Sequence, residues 1–246
     1  MRAVWRWLVL VLVALLSVQL FFVARIAVML VVDPQSSAFQ RSEAWRILQD
    51  KGGRLPWRQQ WLPYEQISDH LKRAVIASED DGFLNHDGVD WDALEKAWQK
   101  NSRAGEQVAK RAAASGNAPS SRAPKLVGGS TITQQLAKNL FLSGERNLLR
   151  KGQELVLTML LELLLDKRRI LEIYLNSVEW GEGVFGAEAA AQQYYRKGAA
   201  KLGPLEAARL AVMLPRPKYF EKLPGSAYLA GRAATIMARM PDAQLP

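Results

Sequence analysis

The chain has 246 residues, a hydrophobic fraction of 49% and a formal net charge of +9 at pH 7. This composition excludes a disordered or fibrous protein and suffices for the core of one large domain or two small ones. The positive charge favours an anionic partner. The chain has no cysteine and so cannot form disulfides, and this suits a protein of an oxidising compartment without proving that location.

The first 32 residues differ in kind from the rest of the chain. From Trp7 to Val32 only Arg25 is charged, and the apolar run from Leu8 to Ala24 is long enough to cross a bilayer. No small-x-small cleavage site is clear, so we expect an uncleaved transmembrane anchor rather than a signal peptide. Arginines precede this span and Asp33 follows it. This charge pattern predicts that the amino terminus lies in the cytoplasm and that most of the chain lies on the outer side of the membrane.

The anchor changes which anionic partner is expected. Nucleic acid would be the default for a basic soluble chain. A domain on the outer face of a membrane meets phospholipid head groups or a phosphate-bearing lipid substrate instead, and the charge alone does not choose between these two.

Three regions are predicted along the chain. Residues 1–32 form the cytoplasmic tip and anchor, residues 33–63 a linker and entry segment, and residues 64–246 a single mainly helical domain. The linker is rich in proline and glycine, with a short helical pattern around Ala44 to Leu48. Residues 101–124 are rich in Ala, Ser, Gly, Arg and Lys, which predicts a mobile loop with at most one short helical turn. No alternating pattern predicts a sheet of any size.

Apolar residues recur at helical spacing through residues 64–246. One helix with apolar positions from Ile67 to Val75 ends near Ser78, and another begins after Asp90. Further helices are predicted at Asn147 to Asp166, Arg169 to Val178, Gly186 to Tyr195, Pro204 to Leu214 and Ser226 to Met240.

Three acids follow the first of these helices. Glu79, Asp80 and Asp81 lie at its carbonyl end, where negative charge is unfavourable. Mutual repulsion and the helix end would raise the pKa of one acid towards the range of a general base, although a solvated acidic turn is the alternative. His86 has no second histidine or cysteine at ligand spacing, so no metal site is predicted there and a structural hydrogen bond is its other interpretation.

The most suggestive segment is KLVGGSTITQQLAKNLFL, which ends at Leu142. Its two adjacent glycines allow close approach of the backbone to a ligand, and Ser130 or Thr131 can cap a helix whose free amides then face outward. Gln135 and Lys138 lie three residues apart and project from one face. The segment is either an anion site at the start of a helix or an ordinary capped amphipathic helix.

Glu154 lies in a helix that is apolar on most sides. Arg150 and Lys151 precede it by four and three residues, so an ordinary ion pair on a helix surface is one interpretation. If the helix is packed on most sides, Glu154, Thr158 and Glu162 instead form a polar strip in a buried element, which points to a cleft.

Four blocks follow one another in an order that resembles a known family. They are AVIASEDDGFLNHDGVD at residues 74–90, GGSTITQQLAKNLFL at 128–142, RKGQE at 150–154 and ILEIYLNSVEWGEGVFGAEAAAQQYY at 170–195. They closely resemble the signature blocks of glycosyltransferase family 51, the peptidoglycan glycosyltransferases. A single amino-terminal span, with no serine that has a lysine three residues on, resembles the monofunctional biosynthetic type rather than the bifunctional penicillin-binding proteins, which carry a transpeptidase domain.

The resemblance implies a lysozyme-like helical fold and an enzyme that polymerises lipid II into β-1,4 glycan strands. The reaction inverts configuration and releases undecaprenyl pyrophosphate. Glu79 matches the catalytic base of the family, and Glu154 matches a second glutamate that assists the leaving group directly or through a divalent cation, Mg or Mn. The substrate-binding positions implied are Asp80, Phe83, His86, Ser130, Gln135, Lys138, Asn139, Arg146, Arg150 and Lys151.

The resemblance also implies partners and a location. The expected partners are lipid II, the growing lipid-linked glycan chain, membrane phospholipids and other cell-wall synthesis proteins, with no nucleic acid. The expected location is the bacterial cytoplasmic (inner) membrane, crossed once, with the catalytic domain in the periplasm.

Two alternatives to a transferase are a lysozyme-like lytic hydrolase and a non-catalytic scaffold of the cell-wall machinery. Two carboxylates would serve hydrolysis as well as transfer. The pyrophosphate-binding cations and the anchor favour the transferase, because an enzyme that cuts finished glycan needs neither. The presence of both Glu79 and Glu154 argues against a scaffold.

Overall fold

Helices dominate the computed structural model, which describes residues 2–115, 129–142 and 148–246. The helices are α1 Arg2–Val28, α2 Ala38–Asp50, α3 Asp69–Glu79, α4 Trp91–Ser115, α5 Ile132–Phe141, α6 Leu148–Leu164, α7 Lys167–Ser177, α8 Ala187–Tyr195, α9 Pro204–Met213, α10 Pro217–Phe220 and α11 Ala227–Arg239. Three short strands, β1 Arg58–Gln59, β2 Glu179–Gly181 and β3 Val184–Phe185, form one sheet in the order β1-β3-β2. Strand β3 runs parallel to β1 and antiparallel to β2. The predicted mainly helical class is confirmed.

Local signals in the sequence set most helix boundaries. The side chains of Ser68, Asp166 and Ser226 each accept a hydrogen bond from a backbone amide in the first turn of the helix that follows. Pro204 is the first residue of α9, where a missing amide hydrogen costs nothing. The last five predicted helices therefore agree with the structure to within two residues at each end.

Helix α3 is fixed in the core along most of its length. Its residues Leu71 and Val75 are fully buried, and it packs against α9 and α11, whose Leu210 and Ile236 are fully buried as well. Because Glu79 is the last residue of α3, this packing holds the backbone that carries the predicted base.

Residues 33–63 form part of the domain, so the predicted linker is wrong. They contain the 13-residue helix α2, which begins with a capping box between Ser37 and Gln40. Ile47 is fully buried, and the ring of Trp57 stacks on Phe185 with 4.5 Å between centroids. The proline-rich and glycine-rich composition hid this outcome, because the contacts that stabilise the segment come from residues more than a hundred positions away.

The predicted loop at residues 101–124 is also wrong where the structure describes it. Helix α4 continues without a break from Trp91 to Ser115, and the rest of the predicted loop lies outside the described residues. Between residues 101 and 115 the chain is rich in Ala, Gln, Glu, Lys and Arg, which are strong helix formers, and only Gly105 opposes them strongly. The high alanine content therefore favours helix rather than loop.

Helix α1 has 27 residues and is long and apolar enough to cross a membrane, the only helix of that kind in the described ranges. Its last turns pack into the domain, because Ile26 and Met29 are buried in the main core. The ring of Phe22 meets that of Phe141 edge to face at 5.5 Å. The anchor and the domain are therefore continuous at this end of α1.

Asn176 on α7 binds the backbone of Leu62 in the segment 33–63, and replacing its side chain tests that junction. Its Oδ1 accepts from the Leu62 amide at 2.9 Å, and its Nδ2 donates to the carbonyls of Leu62 and Glu172, both at 2.9 Å. We expect Asn176→Ala to lower the free energy of unfolding by about 2–4 kcal/mol, because these backbone groups lose their partner inside the protein. Denaturant unfolding in detergent measures this change.

The control is Gln99→Ala on the exposed surface of α4, which we expect to change the free energy of unfolding by about 0.5 kcal/mol or less. Equal stability of Asn176→Ala and this control would show that the junction contributes nothing.

Candidate active site

Glu79 is partly buried at the carboxyl end of α3 and faces α5. Its Oε2 accepts a hydrogen bond from Gln135 Nε2 at 3.0 Å. Burial raises the pKa of the Glu79 carboxyl above its ordinary value, and hydrogen bonds from Gln135 and Ser78 oppose that effect without cancelling it, while the charge of Asp80 adds to it. Glu79 is therefore a stronger base than an ordinary glutamate.

Tyr174 orients the amide that contacts Glu79. It is fully buried on α7 and its hydroxyl donates to Gln135 Oε1 at 3.0 Å. Burial raises the pKa of Tyr174, so its hydroxyl stays protonated and remains a donor. With Oε1 occupied in this way, the amide nitrogen of Gln135 faces the Glu79 carboxylate.

The start of α5 binds an anion that the protein itself supplies, the carboxylate of Asp80. The backbone amide of Ile132 donates to Asp80 Oδ2 at 2.9 Å. Thr131 accepts from the Gln134 amide, and the Gln134 side chain accepts from the Thr131 amide in return. The expectation of outward-facing amides is therefore wrong for Ile132 and Gln134, because a buried carboxylate and a capping box already use them.

The loop after Asp80 is fixed by charged and aromatic contacts. Asp80 Oδ1 lies 2.8 Å from His86 Nε2, and the carbonyl of His86 accepts from Lys167 Nζ at 2.6 Å. The same ammonium group lies 4.7 Å from the centroid of the Phe83 ring. Phe83 is fully buried, so it supports the site from the core side and presents no surface to a ligand.

The polar strip predicted on α6 is buried and packs against this loop. Thr158 is fully buried, and Glu162 Oε1 accepts from Thr133 Oγ1 at 2.6 Å and from Lys167 Nζ at 2.8 Å. Gly88 has a φ of +83°, and a Cβ there would lie 2.7 Å from the Thr158 methyl carbon. Only glycine fits this position, which lets α6 approach the loop closely.

Glu154 lies in a different environment from Glu79. Its side chain is only 6% exposed, and it forms ion pairs with Lys151 Nζ and, at 3.7 Å, with Arg150 Nη1. The predicted ion pairs therefore exist, but on a buried carboxylate rather than on an open helix surface. The arrangement concentrates positive charge beside a carboxylate that is itself largely shielded from water.

The remaining predicted residues lie on or next to α5 or outside the described ranges. Ser130 and Lys138 are exposed and Asn139 is partly buried, all on or next to α5. Lys138 lies one turn beyond Gln135 on the same helix. Arg146 lies outside the described residues. The binding roles of these four residues stay predictions.

Metal ligands are sparse at this site. Within the described ranges no three His, Cys, Asp or Glu side chains are grouped to hold a metal ion. Glu154 offers a single carboxylate whose oxygens face Lys151 and Arg150. A divalent cation here would take most of its oxygen ligands from phosphate groups of a substrate.

Several residues with clear roles in the structure were missed from the sequence. Tyr174 stands in the fourth block, and Lys167 follows the Glu154 helix, but their roles depend on contacts with α5 and with the His86 loop. Burial raises the pKa of Glu179 to about 7, although Lys218 Nζ lies 3.4 Å away. For Glu179, the only signal in the sequence was its position in the fourth block.

The two carboxylates lie in contrasting surroundings within a helical domain, one desolvated beside an amide and the other between cations. Pairs of acids whose surroundings differ in this way are typical of enzymes that act on glycosidic bonds. Residues 51–241 match the family model described as Transglycosylase. The chain belongs to this transglycosylase family, whose catalytic domain is helical and lysozyme-like.

Relatives resemble the chain over nearly its whole length. A biosynthetic peptidoglycan transglycosylase of Burkholderia thailandensis is 55% identical over 233 residues, which cover 95% of this chain and 84% of the relative. The proteins of the same description from Herminiimonas arsenicoxydans and Paraburkholderia phytofirmans are 52% and 51% identical, with 98% of this chain covered in each and 96% and 94% of the relatives.

The raised pKa of Glu79 predicts a pH-dependent effect on stability. A carboxyl whose pKa is higher in the folded than in the unfolded state stabilises the fold fully below the unfolded value and loses that contribution as pH rises through the folded value. We expect Glu79→Gln to unfold at the same temperature as the wild type near pH 4 and at a higher temperature near pH 8. Thermal unfolding across this range measures the difference.

The matched control is Glu95→Gln on the exposed face of α4, which measures the effect of removing one surface carboxylate at each pH. If Glu79→Gln instead loses stability relative to wild type as pH rises, then the pKa of the Glu79 carboxyl is not raised in the folded state.

Proposed function

We propose that this transglycosylase polymerises lipid II into β-1,4 glycan strands of peptidoglycan, with loss of undecaprenyl pyrophosphate. The observation that carries the proposal is the desolvated Glu79 carboxylate, aligned by Gln135. Membership of the transglycosylase family and the names of the relatives support the same reaction.

Glu79 acts as the general base for the acceptor. Its carboxylate takes the proton from the acceptor 4-hydroxyl while that oxygen forms a bond to the anomeric carbon of the donor. The bond from this carbon to the pyrophosphate oxygen breaks on the opposite face, so the α-linked donor gives a β linkage. Gln135 Nε2 fixes Oε2 at 3.0 Å, whereas Oε1 accepts the longer 3.3 Å bond from the Ser78 hydroxyl, so Oε1 is the oxygen that takes the proton.

The cations of α5 and α6 act on the donor. Lys151 and Arg150 stand beside Glu154, and Lys138 lies exposed on α5 beyond Gln135. Positive groups fixed in advance stabilise the charge that develops on the leaving pyrophosphate. Glu154 holds two of these cations in place. Glu154 is also the residue that would hold a Mg or Mn ion, and such an ion would supply further positive charge for the leaving group.

Helix α1 anchors the enzyme where its substrate resides. A lipid-linked donor stays in the membrane, so an enzyme that uses it gains from a membrane span of its own. Arginines before the span and Asp33 after it favour an amino terminus in the cytoplasm and a domain in the periplasm. Phospholipids then surround α1, and other cell-wall synthesis proteins are candidate partners.

A polymerisation assay tests the proposed function. Purified protein in detergent should convert labelled lipid II into long glycan, and Glu79→Gln should reduce the rate by at least about 100-fold, because general base catalysis contributes about that much or more. Asp81→Asn is the control, since its carboxylate is 60% exposed and pairs with Arg239. Release of fragments from preformed glycan, with no polymer from lipid II, would assign the protein to the lytic hydrolases instead.

The Gln135 contact predicts a shift in the pH profile of polymerisation. The base must be ionised, so the rate falls as pH falls through the pKa of Glu79. The hydrogen bond from Gln135 stabilises the ionised form and lowers this pKa. We therefore expect the acid limb of kcat/KM to move to higher pH in Gln135→Leu, and by a smaller amount in Tyr174→Phe.

The position of the limb, rather than the maximal rate, is the quantity to compare, because Gln135 is also a predicted substrate contact. If the acid limb stays in place or moves to lower pH, then Gln135 does not lower the pKa of the catalytic base.

A further inference from the structure

Gln19 is a polar residue in the middle of an apolar helix. Between Leu8 and Ala24 the only other polar side chain is Ser17, which is exposed on α1. The amide of Gln19 instead meets that of Gln153 on α6 in two reciprocal hydrogen bonds. Gln19 Nε2 donates to Gln153 Oε1 at 3.1 Å, and Gln153 Nε2 donates to Gln19 Oε1 at 3.3 Å. Each amide therefore both donates to and accepts from the other.

The Gln19 side of this amide pair lies within the apolar span of α1. Gln19 precedes Arg25, the next charged residue of α1, by six residues, which correspond to about 9 Å along a helix. Helix α6 presents apolar side chains next to the anchor, with Leu149 88% and Leu163 78% exposed. These side chains would be unfavourable in water and are suited to hydrocarbon. An amide within a membrane span has few water molecules to bind, so a partner from the protein stabilises it.

Further contacts hold α1 in the rotation that the amide pair requires. Positions 19, 22 and 26 lie on one face of a helix. Phe22 packs edge to face on Phe141, Arg25 lies over the same ring at 5.3 Å, and Ile26 is fully buried. The face of α1 that carries Gln19 is thus the face that packs against the domain.

The amide pair is adjacent to the donor side of the site. Gln153 immediately precedes Glu154, and the rotation of α6 that turns Gln153 to the anchor also buries Glu154 beside Lys151 and Arg150. We propose that Gln19 is a positioning residue, which holds α6, and thereby Glu154 and its cations, at a fixed rotation and depth for a membrane-embedded pyrophosphate donor. The catalytic part of this inference rests on the proposed function.

A double-mutant cycle tests the catalytic effect with labelled lipid II as donor. We expect Gln19→Leu and Gln153→Leu each to lower kcat/KM roughly 3- to 15-fold, the range set by hydrogen bonds between helices in membranes. The double variant should lose no more than either single variant, because both remove the same interaction. The acid limb of the pH profile should stay in place, because Glu79 is not part of this contact.

Ser17→Leu is the matched control, since it also replaces a polar residue of α1 with leucine but on the exposed side, and we expect wild-type kinetics from it. Additive losses in the double variant, or an equal loss in Ser17→Leu, would overturn the positioning role. A shifted acid limb would do the same, because it would indicate a general disturbance of the domain.

A crosslinking experiment tests the contact without any activity. The chain has no cysteine, so Gln19→Cys with Gln153→Cys introduces the only two thiols. A short bifunctional thiol reagent should join them within one chain in detergent and in phospholipid nanodiscs, whereas Ser17→Cys with Gln153→Cys should not react in this way. Failure of the first pair to crosslink, or equal crosslinking of both pairs, would overturn the contact.

The two experiments separate the two proposals. A wild-type protein that crosslinks at this pair but makes no polymer from lipid II would refute the proposed function and the catalytic role of Gln19, while the contact between the anchor and α6 would stand.

Discussion

The buried carboxylate of Asp80 is the contact on which the arrangement of the site depends. One of its oxygens accepts the Ile132 amide at the start of α5, and the other meets His86. A buried carboxylate without such partners would cost several kcal/mol, so these bonds tie the end of α3 to the start of α5. Glu79 immediately precedes Asp80, and Gln135 lies one turn into α5. Their hydrogen bond follows from this junction between the two helices.

The two glutamates acquire different properties from the same helical scaffold. Desolvation raises the pKa of Glu79, which suits a group that must accept a proton. Glu154 instead forms ion pairs with Lys151 and Arg150 and so holds two cations together on α6. A base and a charge-organising group are thus distinguished by their surroundings rather than by residue type. This division is consistent with the proposed transfer, in which Glu79 gains a proton and the cations beside Glu154 stabilise a leaving pyrophosphate.

The membrane helix is part of the packing of the domain. Ile26 and Met29 belong to the main core, and Arg169 Nε donates to the Met29 carbonyl at 2.8 Å. Such contacts leave little freedom between the anchor and the helices that carry the site. The proposed use of a lipid-linked substrate would benefit from this rigidity, because the fold rather than a flexible linker would then set the depth of the site relative to the membrane.

The sequence by itself determined the apolar span, most helices of the domain and the family, because these depend on local periodicity, capping and short motifs. The same motifs indicated Glu79 and Glu154 as candidate site residues. It failed where distant residues decide the outcome. The partners of α2, such as the carbonyl of Ser177, lie far along the chain, so residues 33–63 resembled a linker. The outward amides expected at α5 were wrong because Asp80, 52 residues earlier, already binds there. Only the tertiary structure decided which carboxylate is desolvated and which is paired, since burial and charge contacts arise when the helices pack.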